Sequence, residues 1–442
     1  MNVTDMLRRI TMAKAYEFLD RDPDQNIPKL VDWLEKLDRS RDIKNPLSKL
    51  KEYADNPNSN WFRLAHSFWE DLDDNVRETL FTNFIGNDNL PSSPKLLESR
   101  KRYNCNIPWI ILLDAAVADF QQSGSEAATE LSFDELDAIV EQGKALGTYF
   151  YGFFGGEPLA RRDELIALGN KHADCVFLFF TDGELVDEYL AKDLLRVKNM
   201  VPVLTVGENA AKEGESCPDR DRLFRAMEAL QAARLLFGVS ATYDCNNFRT
   251  LGSEQFFDEM IAAGAKFAWF FTYLPLGQEG DPARMATAEQ RAYMYRQIRK
   301  FRKDKPLFTV DLWNDCEFMG GCVAGGRRYC HINTNGDVEP CPFTHYSDSN
   351  LRSKTLLDAL RSPLFMAYYR QQPFQANPLR SCPLLDSPRK LKELVEATGA
   401  YSTHPGAPED AAQLAQNEAS ARDWAPIADK LWQESRKSLN FR

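Results

Sequence analysis

From about Pro108 onward, short apolar runs alternate with amphipathic stretches in a regular order. The runs are Trp109–Leu113, Thr148–Phe154, Cys175–Phe180, Val201–Val206, Leu236–Ala241 and Lys266–Phe271. Near-continuous apolar runs of this length predict strands covered on both faces. Between them, apolar residues spaced three and four apart predict helices over Phe133–Leu146, Arg162–Lys171, Glu184–Val197, Arg220–Arg234 and Glu254–Ala263. A further helix, Thr287–Arg302, follows the last run. Ser132 and Glu135 form a capping-box start for the first of these helices, and Gly147 ends it. Six βα units predict an α/β fold with parallel strands and right-handed crossovers, a (βα)6 partial TIM-like barrel. In such folds the reactive groups collect at the C-terminal ends of the strands. That edge carries Asp114, the turn Gly155-Gly156-Glu157-Pro158, Thr181-Asp182-Gly183, Glu208, Tyr243 and Tyr273.

The flanks have a different texture. Residues 1–103 read as short helices, with Leu30, Val31, Leu34 and Leu37 following Pro28 at helical spacing, and Phe62, Ala65, Phe68, Trp69 and Leu72 forming a second stripe. Such stripes are packing surfaces, and no chemistry is assigned to them. The barrel is expected over residues 104–310, a cysteine-bearing region over 311–390, and a polar helical tail over 391–442. Pro405-Gly406-Ala407-Pro408 reads as a linker, and Trp424 and Trp432 as the residues that dock the tail.

Charge narrows the classes. A net charge of −11 across 442 residues argues against broad nucleic-acid binding, which needs a basic face. No apolar run approaches the roughly 20 residues of a membrane span, and the first residues lack a signal peptide's apolar core. The expectation is a cytoplasmic protein that binds neither membrane nor nucleic acid.

Nine cysteines sharpen the picture, because Cys316, Cys322, Cys330 and Cys341 cluster and Cys382 follows. An odd, clustered set in a chain without a signal peptide points to metal ligation rather than a disulfide framework.

The glycine pair at Gly155 and Gly156 lets backbone approach a ligand closely, Pro158 stiffens the exit, and Glu157 places one charge at a strand end. This Gly-Gly-Glu-Pro turn after the second of six βα units resembles the radical S-adenosylmethionine (SAM) superfamily. Further phrases resemble a bacterial and archaeal subgroup of it: Asn106–Asp114, Leu131–Leu136, Gly320–Tyr329 and His345–Asn350. The resemblance runs from about Thr82 to the C-terminus. It implies that residues 155–158 contact the amino group of SAM.

One departure is as informative as the match. After the first strand the superfamily places Cys-x3-Cys-x2-Cys, which holds a [4Fe–4S] cluster. Here no cysteine lies between Cys105 and Cys175, and an alignment on Asp119 puts Ser123 and Glu126 at the remaining ligand positions. Oxygen ligands do not suit iron–sulfur clusters, so reductive cleavage of SAM is not expected and SAM binding is expected to be weak. Asp119, Glu126 and Glu130 read either as a solvated acidic loop or as ligands for magnesium or manganese.

The C-terminal cysteines resemble the ligands of SPASM or twitch auxiliary-cluster domains. The resemblance implies one [4Fe–4S] cluster on Cys316, Cys322, Cys341 and Cys382, with structural zinc the rival. Asn335-Gly336 predicts a hairpin turn that draws Cys322 and Cys341 together. Cys330 is the leading substitute ligand, and His331 and His345 are alternates. Three functions follow: a non-catalytic partner or scaffold for an active homologue or a peptide-modifying system, a redox subunit built on the cluster, or an enzyme of altered chemistry that uses the barrel mouth without radical initiation. The expected partners are an active homologue or a peptide.

Overall fold

The computed structural model describes residues 13–37, 54–86, 93–114, 130–207, 218–276, 280–403 and 411–440. Its centre is a nine-stranded sheet in the order β7-β6-β5-β4-β3-β2-β1-β8-β9. The strands are β1 (Ile110–Asp114), β2 (Phe150–Gly155), β3 (Val176–Thr181), β4 (Met200–Val206), β5 (Gly238–Tyr243), β6 (Phe267–Thr272), β7 (Phe308–Asp311), β8 (Tyr329–Ile332) and β9 (Val338–Glu339). All neighbours pair in parallel except β8 with β9, which form an antiparallel hairpin. Sequential parallel strands with helical crossovers curl into the expected partial barrel.

Six helices alternate with the strands: α1 (Phe133–Leu146), α2 (Arg162–Lys171), α3 (Glu188–Val197), α4 (Pro218–Ala232), α5 (Glu254–Ala262) and α6 (Ala288–Asp304). The capping box at α1 forms as its sequence dictates, with Ser132 and Glu135 satisfying each other's backbone amides and Gly147 closing the helix at φ 102°.

Strand alternation sorts the rings into two layers. The Tyr151 hydroxyl donates to Val140 O on α1, and Phe270 stacks on Phe257 of α5, so these positions face the helices. Their neighbours Phe150, Phe154, Phe180, Trp269 and Phe271 therefore face the barrel interior. Phe154 meets Phe180 at 5.1 Å and Phe343 at 5.9 Å, and Phe271 meets Trp313 at 6.3 Å. Each buried aromatic contributes about 1.5–3 kcal/mol, so this inner layer is a large share of the core energy.

Four expectations need correction. The run Lys266–Phe271 is not the last strand of the barrel: β7 follows and pairs with β6 over four residues. It escapes sequence reading because it is short and Phe308 is exposed, which leaves little apolar pattern. The third helix starts at Glu188, not Glu184, because Asp187 caps it by accepting from Leu190 N. Pro28 lies inside helix Pro23–Leu37 rather than at its start, which Pro23 occupies. The apolar spacing from Leu356 to Tyr369 reads as one helical pattern, but the structure has two helices there, Leu356–Leu360 and α7 (Pro363–Gln371), divided where Ser362 caps the second.

The cysteine-bearing region continues the barrel sheet, since β8 lies beside β1. The tail helix α8 (Ala411–Asn440) packs through Trp424, which is 2% exposed, with Trp432 partly buried beside it. No described helix is long and apolar enough to cross a membrane.

Candidate metal centre and barrel edge

Four cysteines from separate segments line one cavity. Cys316 opens the short helix Cys316–Met319, and Cys322 follows Gly320 and Gly321, whose φ angles of 67° and 115° turn the chain back. Only glycine adopts such angles cheaply, so this pair is the local reason the two thiols face one space. Cys341 lies just past β9, and Cys382 follows the turn Pro378–Arg380. The remaining lining includes Trp313, Tyr329, Phe343, Tyr368 and Pro383, and the cavity encloses about 30 Å³. That is room for two or three waters, or for a group a few ångströms across.

Behind the cavity, charged and amide donors grip the backbone. Arg327 donates to Met319 O at 2.8 Å, Gly320 O at 3.3 Å and Cys322 O at 2.9 Å. Gln372 Nε2 donates to Cys322 O at 3.2 Å and Ala324 O at 3.0 Å. Leu385 N lies 3.4 Å from Cys382 Sγ, and the Tyr329 hydroxyl lies 3.2 Å from Cys341 Sγ. Burial pushes the thiols of Cys316 and Cys341 up to about 12 and that of Cys382 to about 11, and raises Cys322 well above the ordinary range. Protons therefore stay on these sulfurs unless a cation displaces them. Among the described residues, no three or more His, Cys, Asp or Glu side chains converge closely enough to ligate one metal ion. The four thiols surround a space rather than a point.

Cys330 stands apart. It sits in β8 opposite Ile111 of β1, fully buried in the main core, and does not line the cavity. Strand alternation sends it to the opposite face from Tyr329, so the nearest cysteine in sequence is the wrong one in space. His345 does not line the cavity either.

His331 belongs to a different constellation. Its Nε2 lies 3.0 Å from Asp114 Oδ1 and its Nδ1 2.7 Å from Glu339 Oε2, all three residues being buried. Burial alone would lower the imidazole's pKa, but Asp114 and Glu339 outweigh it and hold it up at about 10. Asn333 Nδ2 and the Thr403 hydroxyl complete Glu339 at 3.2 Å and 2.5 Å. This bridge ties β1, β8 and β9 together at the C-terminal end of β1. Residues 115–129, with Asp119, Ser123 and Glu126, lie outside the described residues, as does Glu208. Glu130 is described, and Arg161 Nε approaches its carboxylate at 3.9 Å.

At the barrel edge, Glu157 accepts from Leu159 N at 2.9 Å, the Thr181 hydroxyl at 2.9 Å and Asp182 N at 3.2 Å. Burial nonetheless raises its pKa above the usual value, against those donors. Gly155 faces Asp114 across β1 and β2, Gly156 turns the chain at φ 65°, and Pro158 opens a 3-10 turn capped by Glu157. Tyr243 is bonded inside the core by Thr272 at 2.6 Å. The ring set around the cavity and the Asp114–His331–Glu339 bridge escape sequence reading. The available signal was Glu339-Pro340-Cys341, an acid at a strand end two residues from a thiol.

No protein-family model matches the sequence. Among characterised proteins, the chain is 26% identical to mycofactocin maturase MftC of Mycolicibacterium smegmatis over 272 residues, covering 57% of this chain and 65% of that protein. It thus spans just under two thirds of that relative's length. MftC of Mycobacterium ulcerans is 26% identical over 324 residues, covering 67% of this chain and 82% of that protein. The AdoMet-dependent heme synthase of Methanosarcina barkeri is 21% identical over 291 residues, covering 60% of this chain and 81% of that protein. Streptococcus suis SuiB bound to S-adenosylmethionine shares the fold, with a TM-score of 0.50 at 16% identity over 66% of this chain and 76% of that one. The sheet topology and these sequence relatives support a radical SAM-type partial barrel, the fold that the chain shares with SuiB.

Proposed function

We propose that this protein carries one [4Fe–4S] cluster on Cys316, Cys322, Cys341 and Cys382, does not initiate radical chemistry, and serves as a redox or scaffold partner in a peptide-modifying system. The observation that carries this reading is the distribution of thiols. Four line one C-terminal cavity, whereas the loop after β1 has no cysteine in its sequence.

The cavity's donors fit a cluster better than zinc. Tetrahedral zinc needs its four sulfurs about 3.8 Å apart, whereas a cuboidal cluster spaces them more widely, each outside its own iron. Four thiols lining a cavity with room between them support the second arrangement. The buried Tyr368 hydroxyl also has no hydrogen-bond partner, and it lines this cavity. An orphaned buried hydroxyl implies an acceptor. When bound, the cluster supplies low-potential one-electron exchange. Arg327 and Gln372 hold the loop that bears Cys322, and Trp313, Phe343 and Tyr368 shield the cavity from water.

The barrel edge supports the non-catalytic half of the reading. Both oxygens of the Glu157 carboxylate are engaged within the protein, and inward-facing rings from β2 and β6 pack against Phe343 and Trp313. The alternative, an enzyme of altered chemistry at the mouth, would require Glu157 to exchange those partners for a ligand. A peptide or an active homologue is the partner assigned, on the strength of the maturase relatives.

Anaerobically purified protein, reduced in the presence of SAM, tests both halves. The expected result is about four iron and four sulfide per chain and no 5′-deoxyadenosine above a protein-free control. Stoichiometric zinc without sulfide overturns the cluster, and 5′-deoxyadenosine production overturns the non-catalytic assignment.

A further inference from the structure

Two tyrosines meet the cysteine cavity through their hydroxyls, and they do so from different elements. Tyr329 opens β8, and its hydroxyl lies 3.2 Å from Cys341 Sγ. Tyr368 comes from α7 and is fully buried. Gly325 makes its approach possible, because a Cβ there would fall 2.6 Å from the Tyr368 ring. The Tyr368 hydroxyl has no hydrogen-bond partner of good geometry and lines the same cavity as Cys322, Cys341 and Cys382, with the Thr344 hydroxyl beside it. Packing alone would be served as well by phenylalanine at either position. A buried hydroxyl without an acceptor is costly, so the pair needs an explanation beyond shape.

We propose that the Tyr329 and Tyr368 hydroxyls donate hydrogen bonds to the sulfurs of a cysteine-held iron–sulfur cluster and so poise it for one-electron exchange. The inference rests on the cluster reading above and goes beyond it by naming the side chains that set the cluster's potential. Sulfur carries more negative charge in the reduced cluster, so a donor bonded to it stabilises the reduced form and raises the potential. One electron enters on reduction, from dithionite in the experiment below and from a low-potential one-electron carrier protein in the cell. No thiolate leaves, and no bond to the tyrosines is made or broken beyond the hydrogen bonds.

The test is a dithionite-driven potentiometric titration of the anaerobic, metal-loaded full chain, with Tyr329→Phe and Tyr368→Phe beside it and iron, sulfide and zinc measured on every sample. Both variants should keep the full iron content. At the wild-type midpoint potential their oxidised-to-reduced ratio should rise about tenfold, a shift of 59 mV for a one-electron couple. The electron paramagnetic resonance signal of the reduced cluster should fall accordingly. Unchanged potentials with full iron in both variants overturn the inference and leave the cluster reading standing. Zinc without sulfide in the wild type overturns both. Should Tyr329→Phe fail to fold, Tyr368→Phe decides alone, because its hydroxyl makes no hydrogen bond of good geometry within the protein. Loss of metal from both variants would make the hydroxyls part of the metal-holding frame, and that result also overturns the inference.

Discussion

Gly155 and Asp114 face each other across the β1–β2 register, and a Cβ on Gly155 would lie 1.9 Å from Asp114 Oδ1. The glycine of the Gly-Gly-Glu-Pro turn is therefore needed by a carboxylate of the protein itself. That carboxylate spends the same oxygen on His331.

Gly155→Ala should accordingly displace Asp114 and strand the His331 imidazolium. Overpacking together with a weakened buried ion pair should cost about 2–4 kcal/mol. Denaturant unfolding measures it, and the loss should largely disappear when alanine is introduced into an Asp114→Ala background, where no carboxylate is left to displace.

The His331 bridge fixes a sign for pH dependence. An unfolded histidine titrates near 6.5, whereas His331 in the fold is held at about 10 by Asp114 and Glu339, against the effect of burial. Its contribution to stability is thus fully present below about pH 6.5 and fades as pH rises through about 10. Wild-type unfolding free energy should decline across that window at constant ionic strength. His331→Gln should be less stable at pH 6.5 and should show a shallower decline.

Cysteine substitutions should divide by face rather than by sequence distance. Cys322→Ala or Cys341→Ala should abolish bound metal. Cys330→Ala, eight residues from the first and eleven from the second, should retain it. Its own cost, from a small cavity between β8 and β1, should be about 1–2 kcal/mol. Metal analysis on the three purified variants checks the division.

Arg291 offers a test of how the tail is held. It pairs with Asp386 at 2.7 Å, both side chains buried, and lies 4.2 Å from the centre of the Trp424 ring on α8. Arg291→Met leaves Asp386 charged and unpaired, so stability should fall by about 3–5 kcal/mol. Limited proteolysis should then release the tail earlier than in the wild type.

The barrel was legible in the sequence because its strands are apolar runs bounded by capped helices, and Ser132, Glu135 and Gly147 mark one boundary unaided. β7 was not, since four residues ending in a buried aspartate carry no period. Clustering pointed to the four thiols that line one cavity, but setting aside Cys330 as their substitute required the pleat of β8, which no spacing rule supplies. The Asp114–His331–Glu339 bridge was illegible for a different reason. Asp114 lies 217 residues from His331, and only the β1–β8 register brings it beside the β8–β9 hairpin that carries His331 and Glu339.

The pairing of Ile111 with Cys330 also dictates an order of events during synthesis. The open edge of β1 has no partner until the ribosome has delivered nearly half the chain beyond it. A nascent barrel truncated before Tyr329 would present that hydrophobic edge to any neighbouring strand, an invitation to aggregate. Late-arriving β8 is thus the piece that closes the earliest strand against the outside, and a cell making this protein must shelter that edge in the interval.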